Sequence, residues 1–187
     1  MLLPTPPFMP GEFRIQHASA AWERRACAEL RRTVFCAEQG LFAGDDGDAI
    51  DACALPIAAI ACVAGIGERV VGTVRIHRPS PQREANLWQG SRLAVLPDYR
   101  RSAWLGSELI RHAVCTARAR GCKRFLAQVQ VQNVKLFARL HWTSLAAIEV
   151  QGRPHVLMEA RLEHYAPRRD DAVAFYTRVH AHARRAA

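Results

Sequence analysis

Arg100 and Arg101 lead into Ser102-Ala103-Trp104-Leu105-Gly106-Ser107, where a short apolar strand gives way to a helix. The first turn of a helix leaves backbone N–H groups without partners and presents the positive end of the dipole, so it attracts phosphate. After a strand, and with two arginines beside it, such a turn suits a pyrophosphate-bearing cofactor. A second cluster is Asp45, Asp46, Asp48 and Asp51. Calcium-loop spacing would need a glutamate at Pro56 or Ile57, so no metal is expected there. The cluster reads as a solvated turn, or as an acidic entrance that draws a cationic amine. The histidines show no zinc spacing either.

These groups must be carried by regular elements. Phe13 to His17 alternates like a strand, and Ala20 to Gln39 has Trp22, Ala26, Leu30, Val34 and Phe35 at helical spacing. Pro56–Ala64 and Arg69–His77 read as strands joined by Gly65-Ile66-Gly67-Glu68, and Asn86–Val95 as another. Ser102–Arg120 is the clearest helix, with Leu105, Leu109, Ile110, Ala113, Val114 and Ala117 on one face and Gly121 as its stop. Phe125 to Gln132 alternates strictly, Asn133–Leu140 is a short helix, and Ile148–Val150 with His155–Leu162 forms a closing antiparallel pair around Gly152. Asp170 to Arg184 is predicted to be a last amphipathic helix, covering a sheet edge or packing on a second copy of the chain as a homodimer.

A chain of 187 residues, half of them hydrophobic, is expected to be one soluble domain with a substantial core. No apolar run reaches the ~20 residues that span a bilayer. Met1–Gly11 has no basic start and is taken as part of a flexible arm, residues 1–12, rather than a leader. The six cysteines lack Cys-x-x-Cys spacing and read as reduced, buried thiols of a cytoplasmic protein. Net charge is +9. Residues 166–187 hold five arginines against two aspartates, and the rest of the excess is dispersed without a base-stacking strip or finger spacing. A nucleic-acid partner is not expected, because an anionic cofactor accounts for a basic surface equally well.

This layout resembles the GNAT superfamily of acetyl-CoA-dependent N-acyltransferases over residues 13–165. The family's cofactor signature is Arg or Gln, two residues, Gly, one residue, Gly or Ala. Arg101 matches its first position and Gly106 its last, while Trp104 stands at the middle glycine. Asn133 to Trp142 is similar to the second family motif, with Phe137 where a tyrosine often reprotonates the departing thiolate. Arg31-Arg32-Thr33-Val34-Phe35-Cys36-Ala37-Glu38-Gln39, the acidic loop after it, and Gly152, Pro154, His155 and Met158 resemble segments of the ElaA-like branch. The chain is also similar to a bacterial group associated with nitrogen starvation.

The resemblance implies an α/β (α+β) fold with a mixed, mostly antiparallel sheet flanked by helices. It implies acetyl-CoA, or another acyl-CoA, as co-substrate, contacted by Leu93, Ala94, Val95, Arg100, Arg101, Ser102, Ala103, Trp104, Leu105, Gly106, Ser107 and Asn133. It implies a small-molecule amine as acceptor, contacted by Arg31 and Phe35; Gln128 and Gln130, on the polar side of their strand, would line the acceptor groove or else face other polar groups. An alkyl amine, with a pKa near ~10.4, must lose a proton before it attacks. Glu38, at a helix end beside Gln39 and Gly40, is the leading base; its alternative is a solvated carboxylate. His155 would relay a proton or bind substrate, or else be structural. His141 would replace the missing tyrosine, or lie on the surface. Two other readings stay open: an acyl-homoserine-lactone-synthase-like acyltransferase, and a non-catalytic CoA-binding sensor or interaction module.

Overall fold

The computed structural model describes residues 11–79, 84–100, 104–169 and 174–177. Its elements are β1 Glu12–His17, α1 Ala21–Arg31, β2 Leu55–Val63, β3 Ile66–His77, β4 Leu87–Val95, α2 Trp104–Ala119, β5 Arg124–Gln130, α3 Val134–Arg139, β6 Trp142–Val150, β7 Arg153–Ala160 and β8 Ala174–Thr177. The strands form one sheet in the order β6-β7-β5-β4-β3-β2-β1-β8. Every neighbouring pair is antiparallel except β4 and β5, which run parallel.

The centre of the sheet is covered on both faces. Ile57–Cys62 of β2 and Val70–His77 of β3 are buried without interruption, as expected of strands with helices above and below. Thr73 and Arg75 face α1 and the acidic loop, and Thr73 Oγ1 donates to the Ile57 carbonyl at 3.0 Å. On the other face, a Cβ at Gly72 would meet Leu109 Cδ1 of α2 at 2.9 Å, so glycine there sets the close approach of helix to sheet. The predicted apolar face of α2 is in the core, from Leu105 at 1% exposure to Ala117 at 0%. Gly121 ends the helix at φ +84, with Cys122 N–H returning to the Ala117 carbonyl at 3.0 Å.

The single helix predicted over 20–39 changes character at Arg32. Arg32–Glu38 is a π-helix, in which Gln39 N–H reaches the Val34 carbonyl at 3.0 Å. Thr33 Oγ1 bonds the Glu29 carbonyl at 3.0 Å, a side-chain bond that competes with the regular ladder. Wide turns of this kind are rare, and often lie at functional sites.

Three other differences have physical causes. The helix predicted over 170–184 is, at Ala174–Thr177, the strand β8, paired from Glu12↔Thr177 to Ile15↔Ala174. The outer edge of β1 offers unpaired backbone groups that a strand satisfies and a helix does not. The rest of that predicted helix lies outside the described residues, as do residues 1–10 of the arm, and Glu12 belongs to β1. β5 stops at Gln130 because Val131–Asn133 turns as a 3-10 segment, leaving Val131 half exposed despite the alternating pattern. β6 begins at Trp142, earlier than predicted, because His141 makes the turn at φ 63. Cys27, Cys62 and Cys122 are buried, whereas Cys53 is exposed.

Candidate active site

β4 and β5 pair only from Leu87↔Arg124 to Gly90↔Ala127, and beyond that register they separate. The cause lies in β4. Opposite Thr73 and Arg75 of β3 stand Ala94 and Ser91, so Arg92 and Leu93 share the place facing Val74. This is a bulge, and Arg92 at its head has φ 54, a left-handed conformation that L side chains rarely adopt. The side chain holds it there. Arg92 Nε donates to Asp46 Oδ2 at 2.8 Å, Nη2 donates to the Asp46 carbonyl at 2.9 Å, and the guanidinium lies 4.5 Å from the centre of the Phe42 ring.

Asp46 is 1% exposed and also accepts from Arg31 Nε at 2.8 Å. Arg31 reaches Asp51 at 2.6 and 2.9 Å, and Arg75 grips Asp48 at 2.7 and 2.6 Å and Asp51 at 2.6 Å. Three arginines thus neutralise three aspartates under the bulge. The aspartates of the acidic loop are exposed apart from Asp46, as in a solvated turn, but Asp46, Asp48 and Asp51 are held by arginines, and Arg31 spends its donors inside this network rather than on a substrate. Hydrogen bonds from Arg75 hold the Asp48 carboxyl below the usual range. Burial pushes the Asp51 carboxyl up, but bonds from Arg31, Arg75 and the Asp48 N–H outweigh it and hold Asp51 well below that range.

The opened strands line a cavity of about 940 Å³. Leu93, Ala94, Val95, Arg100, Gly106 and Asn133, predicted to meet a cofactor, line it. So do Phe35, Glu38, Gln128, Gln130 and His155 from the predicted acceptor side and catalytic set. Gly106 has open space where a Cβ would stand. The edge of β4 past Gly90 is not paired to β5, which leaves backbone groups facing the cavity. Arg101, Ser102 and Ala103 lie outside the described residues.

Other predicted residues point elsewhere. Trp104 packs edge-on against Phe13 at 5.0 Å and near Tyr176 at 5.9 Å, so its ring turns to β1 and β8 and does not fill the cavity. Leu105 is core, and Ser107 is not among the lining residues. His141 is outside the cavity, stacked on His164 at 3.8 Å. His155 is 8% exposed, its Nδ1 2.9 Å from the Arg153 carbonyl oxygen. Phe137 is buried against Trp142 with ring centres 5.0 Å apart.

Glu38 and Arg100 meet. Arg100 Nη1 and Nη2 donate to the two carboxylate oxygens at 2.5 and 2.8 Å, and Nε donates to the Val95 carbonyl at 2.6 Å. The Arg100 bonds hold the Glu38 carboxyl below its ordinary value, slight burial opposing them. Sequence reasoning placed the two residues in separate roles and had no signal for this pairing, because they are far apart in the chain. It also missed Gln39, whose Oε1 accepts from Gln130 Nε2 at 3.1 Å, and Arg153, whose Nη2 donates to the Gln39 carbonyl at 3.3 Å.

The site is thus a cleft between two parallel central strands that part beside the start of α2, with a carboxylate at its rim. The sequence pattern of the Acetyltransferase (GNAT) family matches residues 23–142, and the chain belongs to that family of acyl-CoA-dependent N-acyltransferases. No curated protein matches it. Among solved structures it is similar to a Lactobacillus plantarum protein assigned to the N-acetyltransferases, at 20% identity and TM-score 0.68, over 80% of this chain and 98% of that one. It is similar to Escherichia coli ElaA at 18% identity and TM-score 0.65, over 80% and 98%. An aminoglycoside 6'-N-acetyltransferase complexed with coenzyme A matches at 14% identity and TM-score 0.60, over 83% and 99%. Among the described residues no helix is long and apolar enough to cross a membrane.

Proposed function

We propose that the protein transfers an acetyl group from acetyl-CoA to the primary amine of a small metabolite, by direct attack in a ternary complex. One observation carries this reading: the cavity between β4 and β5 gathers the unpaired β4 edge, the open Gly106 and the rim carboxylate of Glu38. The amide groups of the pantetheine arm suit the backbone of Leu93–Val95. The pyrophosphate suits the start of α2, with Arg100 and Arg101 as counter-charges. The acceptor enters past Phe35, Gln128, Gln130 and His155.

Glu38 takes the proton that the ammonium must lose. The amine nitrogen then attacks the thioester carbonyl, a C–N bond forms, the C–S bond breaks, and the thiolate leaves to be protonated by solvent or by His155. Phe137 has no proton to give and acts as packing. Arg100 serves two partners in turn: it neutralises Glu38 in the free protein, and cofactor phosphate draws it away and leaves Glu38 more basic. The test is CoA release, followed with a thiol reagent, from acetyl-CoA across a panel of primary amines. Amine-dependent release is expected. Acetyl-CoA that binds by calorimetry yet yields no CoA with any amine would favour the sensor reading instead.

A further inference from the structure

The lining of the cavity carries one unspent charge. Its arginines among the described residues are Arg92, Arg100 and Arg153. Arg92 is committed to Asp46 and Asp48, and Arg100 grips Glu38. Arg153 has no carboxylate partner among the described residues. Its side chain makes one bond, from Nη2 to the Gln39 carbonyl at 3.3 Å, and the residue is exposed. Its backbone, by contrast, is fixed. Gln151 at φ 51 and Gly152 at φ 67 form the two-residue turn of the β6–β7 hairpin, closed by the pair Val150↔Arg153. The Arg153 carbonyl accepts from His155 Nδ1 at 2.9 Å; a carbonyl can only accept, so the ring carries a proton on Nδ1. The neighbouring wall is braced as well. Gln130 Nε2 donates to Gln39 Oε1 at 3.1 Å, and Gln132 Nε2 donates to Gln130 Oε1 at 2.7 Å. These amides bond one another and bring no charge.

The guanidinium lies beside the base. Arg153 bonds the carbonyl of Gln39, the residue next to Glu38, and both charged side chains line the same cavity. Once cofactor phosphate has drawn Arg100 away, this wall presents one carboxylate and one guanidinium. Glu38 suits an ammonium. A guanidinium fork suits a carboxylate, to which it donates two parallel bonds. A simple amine answers only the first of these charges. A phosphate ester, with nearly two negative charges, leaves one unmatched against a single arginine. We infer that the acceptor is zwitterionic, a primary amine that also carries a carboxylate, as an amino acid does, and that Arg153 receives the carboxylate. This rests on the acetyl-transfer reading above and narrows its acceptor. Over the reaction the ammonium gives up two protons, one to Glu38 and one to the departing thiolate. A C–N bond forms, the C–S bond breaks, and the products are an N-acetyl amino acid and CoA.

The test is CoA release from acetyl-CoA by the full chain, with a set of amino acids beside the matching amino-acid amides at one pH. The amide lacks the carboxylate and keeps the amine. Its amine has a lower pKa than that of the parent, but this difference cancels when the amino-acid to amide ratio of kcat/KM is compared between wild type and variants. Loss of even an exposed ion pair costs up to roughly fivefold. Arg153→Gln is expected to lower the ratio at least about fivefold, through KM for the amino acids. Arg153→Lys keeps the charge without the fork and is expected to fall between. Should Arg153→Gln fail to fold, as read from its circular dichroism, Arg153→Lys reads the same ratio. An unchanged ratio, or transfer to amides alone, overturns the inference and leaves acetyl transfer to amines standing. So does faster transfer to phosphoethanolamine than to any amino acid, which assigns the fork to phosphate. No CoA release with any amine overturns both.

Discussion

Glu38→Gln separates two roles that the structure joins in one ion pair. The substitution keeps the shape of the side chain and removes its charge. If Glu38 is the base, turnover falls by about 10²-fold or more, the usual loss when a positioned base is removed. The same change should improve cofactor binding. Arg100 now spends two donors on Glu38, at 2.5 and 2.8 Å, and both side chains are 36% exposed. An exposed pair of this kind is worth about 0.2–1 kcal/mol. That is the amount phosphate must overcome to recruit Arg100, so releasing it should tighten acetyl-CoA binding by a factor of about 1.4 to 5. A glutamine oxygen still accepts one bond, which keeps the gain in the lower half of that range. The assay is calorimetry with acetyl-CoA beside steady-state CoA release, both at low ionic strength, where the pair is least screened. Lower turnover with tighter binding is the expected signature. Unchanged turnover refutes the base, and unchanged or weaker binding refutes the exchange of Arg100 between carboxylate and phosphate.

Asp46→Asn leaves two guanidinium groups short of a buried partner, Arg31 at 9% and Arg92 at 19% side-chain exposure, and is expected to cost about 3–5 kcal/mol in urea unfolding. Because Arg92 holds the β4 bulge, the same variant should also weaken acetyl-CoA binding; full stability would show the network to be ornamental. His112 is 2% exposed, and burial, with Arg168 nearby, pushes it down to about 4. The unfolded chain then binds the extra proton first, so stability falls as pH drops from about 6.5 towards 4, by about 3 kcal/mol, and His112→Gln should flatten that slope. Below pH 4 the depressed carboxyls of Asp48 and Asp51 extend the loss, because their stabilisation is present above the unfolded value and disappears as they protonate. Tyr165 Oη accepts from Trp142 Nε1 and donates to the Leu140 carbonyl, and burial pushes its phenol up to about 12. Tyr165→Phe strands the buried indole N–H and should cost about 1–3 kcal/mol in thermal or urea unfolding.

Much of the framework was legible in the chain because it depends on local periodicity. The apolar spacing of α2 and its glycine stop follow from helix geometry, and the alternation of β5 from strand geometry, although that strand ends at Gln130, short of the pattern. Leu93–Val95, Gly106, Asn133, Glu38 and His155, singled out by motif order, line one cavity. Trp104 was harder to read. A bulky residue at a glycine position looks like an obstruction until β1 and β8 supply a surface for its ring.

The sequence by itself determined α2 and the strands β1 to β4, with the faces they bury. These are properties of neighbours in the chain. Only the tertiary structure decided what the charges do. Asp46, Asp48 and Asp51 could have met water, a cation or an amine, and they meet Arg31, Arg75 and Arg92 because β3, β4 and the acidic loop converge. That convergence holds Arg92 in a left-handed bulge, parts β4 from β5, and opens the cavity where Glu38 and Arg100 touch. A charge has no preferred partner in sequence, since pairing depends on distance and burial, and both are set when the sheet closes.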